Sequence, residues 1–296
     1  MHFDSFLDYL RYERGYSTHT VEAYGRDLLQ FALYINVYTE NKSFDPRLID
    51  SDQIRNWLVS LLKGQIAASS VNRKLSTLRS YFRYLLKQNA VDKNPLLLVS
   101  GPKKKTVLPS FLRDRDISQL LDSDDFKDDF EGIRDRLLLE LLYETGIRRA
   151  ELVGIRESDV NISAMQLKVT GKRNKQRLIP FGKRLKEMLT TYLEVKQKAV
   201  TNDSGRFFVR QNGEPLSPSM VYYIVKKRLY AIPTISKRSP HVLRHTFATN
   251  MLNDGAKLNS VKELLGHSSL ASTSVYTHIT FEELKKVYNA HPRTKK

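Results

Sequence analysis

Residues 92–109, DKNPLLLVSGPKKKTVLP, hold three prolines, one glycine and three consecutive lysines. Proline fixes φ and removes a backbone donor, so no helix or strand runs through such a stretch unbroken. The chain is therefore expected in two parts: a domain over residues 1–100, a linker over 101–109 and a second domain over 110–296. A length of 296 residues suits two ordinary domains, and 41% hydrophobic residues suffice for buried cores.

The two parts differ in period. In FDSFLDYL, Phe3, Phe6, Leu7 and Leu10 follow the i, i+3, i+4, i+7 pattern of a helix. Ser17 or Thr18 is placed to cap a second helix carrying Val21, Tyr24, Leu28 and Phe31. A third starts near Asp50–Asp52 and carries Ile54, Leu58 and Leu61; a fourth, from about Ser69, carries Val71, Leu75, Leu78, Phe82 and Leu85. The second part is mixed. EGIRDRLLLELLYET (131–145) reads as a buried helix ended by Gly146. MQLKVTGKRNKQRLIPF reads as two short strands about a turn at Lys172–Lys175, and RFFVRQNGEPLS holds an Asn-Gly turn expected to form a second hairpin. Helices are expected near 183–199, 218–230, 258–265 (stopped by Gly266) and 270–277, with a final one from Thr280 whose Glu283 completes a capping box. The fold class is mainly α with a small β component: a four-helix N-terminal domain and an α+β C-terminal domain.

Charge narrows the partner. Lys and Arg number 49 against 32 Asp and Glu, a net charge of +17, which calls for a polyanion. Nucleic acid is the expectation and an anionic membrane surface its competitor. Arg73, Arg79 and Arg83, with Lys87, fall on the polar side of the fourth helix, either as a solvated face or as a DNA-facing one. Lys103, Lys104 and Lys105 stand where the chain would cross a nucleic-acid backbone. No stretch approaches the roughly 18–20 apolar residues of a membrane span. The opening MHFDSFLDYL lacks a basic region followed by an apolar one, and cysteine is absent. Thiolate metal sites and disulfides are excluded, and a cytoplasmic location is expected.

Residues 239–255, SPHVLRHTFATNMLNDG, raise a sharper question. Ser before Pro is a helix start, with Ser239 as N-cap and Pro240 at the first helical position. His241 and Arg244 then share one face near the first turn, beside amides that favour an anion, so a phosphate site is possible in principle. A metal site at His241 and His245 would lack the Glu of an HExxH motif. For His245, beside Phe247 and Leu252, simple packing is the better reading. In ETGIRRAEL, Arg148 and Glu151 form an i, i+3 pair of the kind that usually decorates a surface. The acids of DSDDFKDDF (122–130) read as an exposed run, so no clustered carboxylates are available for Mg²⁺ and no cofactor is expected.

Taken in order, TGIRRAEL, VTGKRNKQR, HVLRHTFAT, LLGHSS and VYTHI resemble the motifs of tyrosine recombinases, the lambda-integrase family, and within it the bacterial Xer recombinases. The resemblance extends to FLDYLRYERGYSTHTVEAYGRDLLQF, SVNRKLSTLRSYFRYL and VYNAHPRTKK, so it covers nearly the whole chain. It implies a helical core-binding (SAM-like) domain and a catalytic domain that together clamp duplex DNA. It also implies metal- and ATP-independent strand transfer through a 3′-phosphotyrosyl intermediate. By the same resemblance Tyr276 is the nucleophile, and Arg148 and Arg244 hold the scissile phosphate. His241 is the histidine of the HxxR motif, Lys172 the hairpin lysine and His267 the final His-or-Trp position; Glu151 is an acid that positions Arg148. Chromosome-dimer resolution is the implied role. A mobile-element recombinase, a type IB topoisomerase and a silent DNA-binding regulator are the alternatives.

The ending FEELKKVYNA presents Phe281, Leu284, Val287 and Tyr288 at helical spacing. This helix, over 281–290, packs on its own domain or, as the Xer resemblance suggests, docks into a neighbouring subunit of a DNA-bound tetramer. The subunits would be copies of this chain or of a paralogue, with a DNA translocase as a possible activator.

Overall fold

The computed structural model describes residues 2–39, 44–103, 111–123, 125–171, 174–202, 204–235, 237–266 and 288. The chain divides into two compact units, Met1–Val107 and Leu108–Lys296.

The first unit is helical. α1 (His2–Asp8) runs into a π-helical turn, Tyr9–Glu13, followed by α2 (Thr18–Thr39), α3 (Ser51–Lys63) and α4 (Ala68–Lys87). α3 starts where the sequence places it: Gln53 N–H donates to Asp50 at 2.8 Å and the Gln53 side chain accepts from Asp50 N–H at 3.0 Å. This reciprocal box satisfies two donors that a helix start leaves open. Phe6, Leu28, Phe31, Ile54, Leu75 and Phe82 meet in the core.

Within the proline-rich stretch, Leu96 and Val99 are buried in the core of the first unit. Side chains of α4 hold it there: Arg79 Nη2 donates to Val99 O at 2.7 Å and Asn72 Nδ2 to Pro102 O at 2.8 Å. The polar side of α4 is also not uniformly open. Arg73 forks onto buried Asp27, which accepts from Lys74 Nζ and Thr77 Oγ1 as well, each at 2.9 Å. Arg83 and Lys103 are exposed. Lys104 and Lys105 lie outside the described residues.

In the second unit α5 (Asp114–Leu121) precedes α6 (Phe130–Thr145), which is buried along most of its length. Next come α7 (Arg149–Gly154) and an antiparallel sheet of β1 (Val160–Asn161), β2 (Gln166–Thr170) and β3 (Gln176–Pro180). Thr170 faces Gln176, and Gly171 N–H donates to Lys175 O at 2.8 Å, which closes the β2–β3 hairpin. α8 (Lys183–Ala199), α9 (Pro218–Leu229), α10 (Pro240–Asn253) and α11 (Leu258–Leu265) complete the described elements. α6 packs between α8 and α10. Among the described residues no helix is long and apolar enough to cross a membrane.

The second expected hairpin is reduced to one bridge, Val209 to Pro215, about a turn with Gly213 at φ +83°. Pro215 has no N–H to give a ladder, and consecutive Phe207 and Phe208 are both buried, so the segment cannot alternate as a two-faced strand. α5 and α7, of eight and six residues, were not read from the sequence; α11, as short as α5, was legible because Gly266 marks its stop. The expected elements near 270–277 and 281–290 fall outside the described residues apart from Tyr288.

Candidate active site

α6 ends at Gly146, with φ +59°. A Cβ there would fall 2.5 Å from Phe247 Cδ1 and 2.8 Å from Leu265 Cδ2, so both the backbone angle and the space require glycine. The turn that follows makes Arg148 the N-cap of α7 and Glu151 its third residue. Glu151 accepts from Arg148 N–H and from Arg148 Nη1, both at 2.8 Å. The pair is no surface ornament, since the Glu151 side chain is only 4% exposed.

The sequence reading missed the other cation on this carboxylate. Arg177 of β3 donates Nη1 to Oε1 at 3.1 Å and Nη2 to Oε2 at 2.9 Å. Its signal lay in the strand period, because Arg177 is two residues before buried Ile179 and so shares its inward face.

From the opposite side comes α10. Ser239 is its N-cap and Pro240 its first residue, as expected, and the Ser239 side chain makes no capping bond. Arg244 donates Nη1 to Gly146 O and Nη2 to Leu265 O, the latter at 2.7 Å. His241 is exposed, His245 is half-buried and Leu252 faces solvent.

The end of α11 ties these arms together. Gly266, at φ +63°, stops the helix and leaves its last carbonyls without intrahelical partners. Leu264 O accepts from Arg177 Nε at 2.8 Å, Leu265 O from Arg244 Nη2 at 2.7 Å and Gly266 O from Arg148 Nη2 at 3.1 Å. Three consecutive carbonyls at the negative end of a helix thus hold three guanidiniums.

Electrostatics follow from this crowding. Burial raises the Glu151 carboxyl, but the bonds from Arg177 and Arg148 outweigh it and hold the group below the usual carboxylate range. Burial, and next the Arg148 charge, push Arg244 down to about 10, with Glu151 opposing and Arg177 adding to the push. Arg148 and Arg244 line one cavity of about 170 Å³ together with Arg149, Tyr222, Ser239 and His241. The Arg149 guanidinium lies 5.8 Å from the Tyr222 ring centroid. Like charges that face one cavity are relieved by an anion there, and the cavity opens beside the first turn of α10. Among the described residues no three His, Asp or Glu side chains gather as metal ligands would.

Of the expected site residues, Arg148, Glu151, His241 and Arg244 are brought together. Lys172, His267 and Tyr276 lie outside the described residues. Tyr288 is 1% exposed in the core of its own unit, and its hydroxyl donates to Glu144 Oε2 at 2.8 Å. Burial and the neighbouring Glu144 raise its phenol well above the ordinary tyrosine value.

The second unit thus sets paired arginines around one cavity, beside a separate helical unit in the same chain. The phage integrase family matches residues 110–283, and the SAM-like N-terminal domain of phage integrases matches residues 3–89. The tyrosine recombinase XerC of Staphylococcus saprophyticus is 39% identical over 293 residues, covering 99% of this chain and 97% of the relative. That of Pelotomaculum thermopropionicum is 40% identical over 304 residues, covering 100% and 99%. Among solved structures, XerH site-specific recombinase bound to a palindromic difH substrate aligns with a TM-score of 0.72 at 24% identity, covering 93% of this chain and 81% of that one. The Tn1549 transposon integrase with circular intermediate DNA gives 0.72 at 17% identity, covering 96% and 97%. The chain belongs to the phage integrase family; it is a tyrosine site-specific recombinase close to the bacterial Xer proteins. The resemblance read from the five motifs and the mainly helical fold class are both borne out.

Proposed function

We propose that this recombinase resolves chromosome dimers by cutting and rejoining duplex DNA at a specific site. XerC relatives that cover nearly the whole chain support this role. The solved neighbours, bound to DNA as dimers or tetramers, support a duplex substrate and an oligomer on it. The subunits are copies of this chain or of a paralogue, a DNA translocase is the candidate activator, and the cytoplasm is the place of action.

The observation that carries the reading is the cavity between Arg148 and Arg244. Each guanidinium donates to a carbonyl at the end of α11, which fixes its plane and leaves other N–H groups for a phosphate. A phosphoryl transition state spreads negative charge over its nonbridging oxygens, so prearranged cations lower the barrier. Tyr276 attacks phosphorus and His241 takes or relays its proton; a phenol of pKa near 10 must lose that proton as it attacks. Lys172 protonates the leaving 5′ oxygen, His267 donates to a nonbridging oxygen and Glu151 orients Arg148. One P–O bond forms to tyrosine as one breaks to the 5′ oxygen, so the ester can be rejoined without ATP.

The test uses a DNA suicide substrate nicked beside the cleaved bond. Wild-type protein is expected to form a covalent adduct in the presence of EDTA, and Tyr276→Phe to bind equally but form none. An adduct that persists in Tyr276→Phe, or cleavage by water, overturns the reading.

A further inference from the structure

We infer that Arg177 is a positioning residue for the cleavage reaction: it joins the β2–β3 hairpin, Glu151 and the end of α11 into one frame from which Arg148 and Arg244 are hung. The inference rests on the proposed function.

The bonding makes Arg177 the hub. Both carboxylate oxygens of Glu151 are shared, one donor from Arg148 and one from Arg177 on each. The carboxylate therefore cannot turn toward either arginine without breaking bonds to the other. Arg177 Nε reaches Leu264 O, one residue before the carbonyl that holds Arg244 and two before the one that holds Arg148. A shift of Arg177 is thus felt by Arg148 through Glu151 and by both arginines through α11.

The space around it is closed as well. A Cβ on Gly266 would lie 3.0 Å from Arg177 Nη1, and a Cβ on Gly171 would lie 3.2 Å from Glu151 Oε1. Two glycines allow hairpin and helix end to close on the Arg177–Glu151 pair. Gly171 follows β2 and its N–H donates to Lys175 O, so Arg177 anchors the strand that pairs with β2. Arg177 lines no part of the cavity, so it acts through other groups and does not touch the phosphate.

A residue that only stabilised the fold would change melting temperature and leave cleavage per folded molecule intact. A positioning residue changes cleavage at constant binding, because a misplacement near 1 Å costs on the order of 100-fold in rate. The experiment compares Arg177→Gln, Arg177→Lys and Glu151→Gln/Arg177→Gln with wild type on the full chain. It measures DNA affinity by titration and single-turnover adduct formation on the nicked substrate, with Tyr276→Phe as control. Binding within about twofold of wild type and adduct formation slowed ~20-fold or more in Arg177→Gln is the expected result. The double variant should be no slower than Arg177→Gln by more than about threefold, as groups that act through one another are not additive.

Arg177→Lys keeps the charge but cannot make a fork and a third bond at once, so it too should be slow; it also serves if Arg177→Gln does not fold. Wild-type cleavage in a folded Arg177 variant, or equal losses in binding and cleavage, overturns the inference. If instead wild type forms no adduct, or Tyr276→Phe keeps one, the proposed function has failed and not this role for Arg177.

Discussion

Glu151→Gln is the perturbation whose size the structure sets best. The carboxylate accepts four N–H groups, from Arg148 N–H and Nη1 at 2.8 Å each and from Arg177 at 3.1 and 2.9 Å. A glutamine keeps one acceptor oxygen and turns an NH₂ toward the two donors on the other. Two bonds to a charged acceptor are lost, each worth about 1.5–3 kcal/mol, so the ceiling is near 6 kcal/mol. Arg148 is 38% exposed, and water takes up part of its loss. The net cost at neutral pH is therefore about 3 kcal/mol, at the lower end for breaking a buried pair. Because the carboxyl of folded Glu151 is held below its ordinary value of 4.5, its contribution is fully present above that value. It is lost as pH falls through the lower folded value. The gap between wild type and variant should thus be constant from pH 7 to pH 5 and narrow below about pH 4.5. Hydrogen exchange over residues 130–154 of the full chain, corrected for intrinsic rate, reads this local stability. Trp57, the only tryptophan, lies in the core of the first unit and reports whether that unit stays unaffected. A gap under about 1 kcal/mol at pH 7, or one that persists unchanged at pH 3.5, would refute the reasoning.

Gly146→Ala should destabilise the second unit by more than about 2 kcal/mol, since strain at positive φ adds to the overlap with Phe247 and Leu265. Urea unfolding followed by near-ultraviolet circular dichroism checks it, and an unshifted midpoint refutes it. Asp27→Asn should lower the stability of the first unit by about 2 kcal/mol, less than for a fully buried pair because Arg73 is half exposed. The Trp57 fluorescence midpoint should fall while hydrogen exchange over residues 130–154 stays as in wild type.

Local order was written in the sequence. The stripe of Val71, Leu75, Leu78, Phe82 and Leu85 gave α4 its buried face, Asp50 with Gln53 opened α3, and Gly146 and Gly266 closed α6 and α11. Those features act within one or two turns, so period and capping chemistry suffice to see them. The five motifs were visible for the same reason, each being short and contiguous. What the tertiary structure decided is which cations are free to act. Arg73, on a polar helix face like Arg83, is bound by a carboxylate 46 residues away. Arg177 meets Glu151 across 26 residues and Leu264 across 87, and Arg148 meets Gly266 across 118. No local period encodes such partners, because a guanidinium finds them only when packing has brought separate elements to one point. The sequence alone determined where the helices stop; folding alone determined that the end of α11 would gather Arg148, Arg177 and Arg244 around one site, because their partners lie on separate elements.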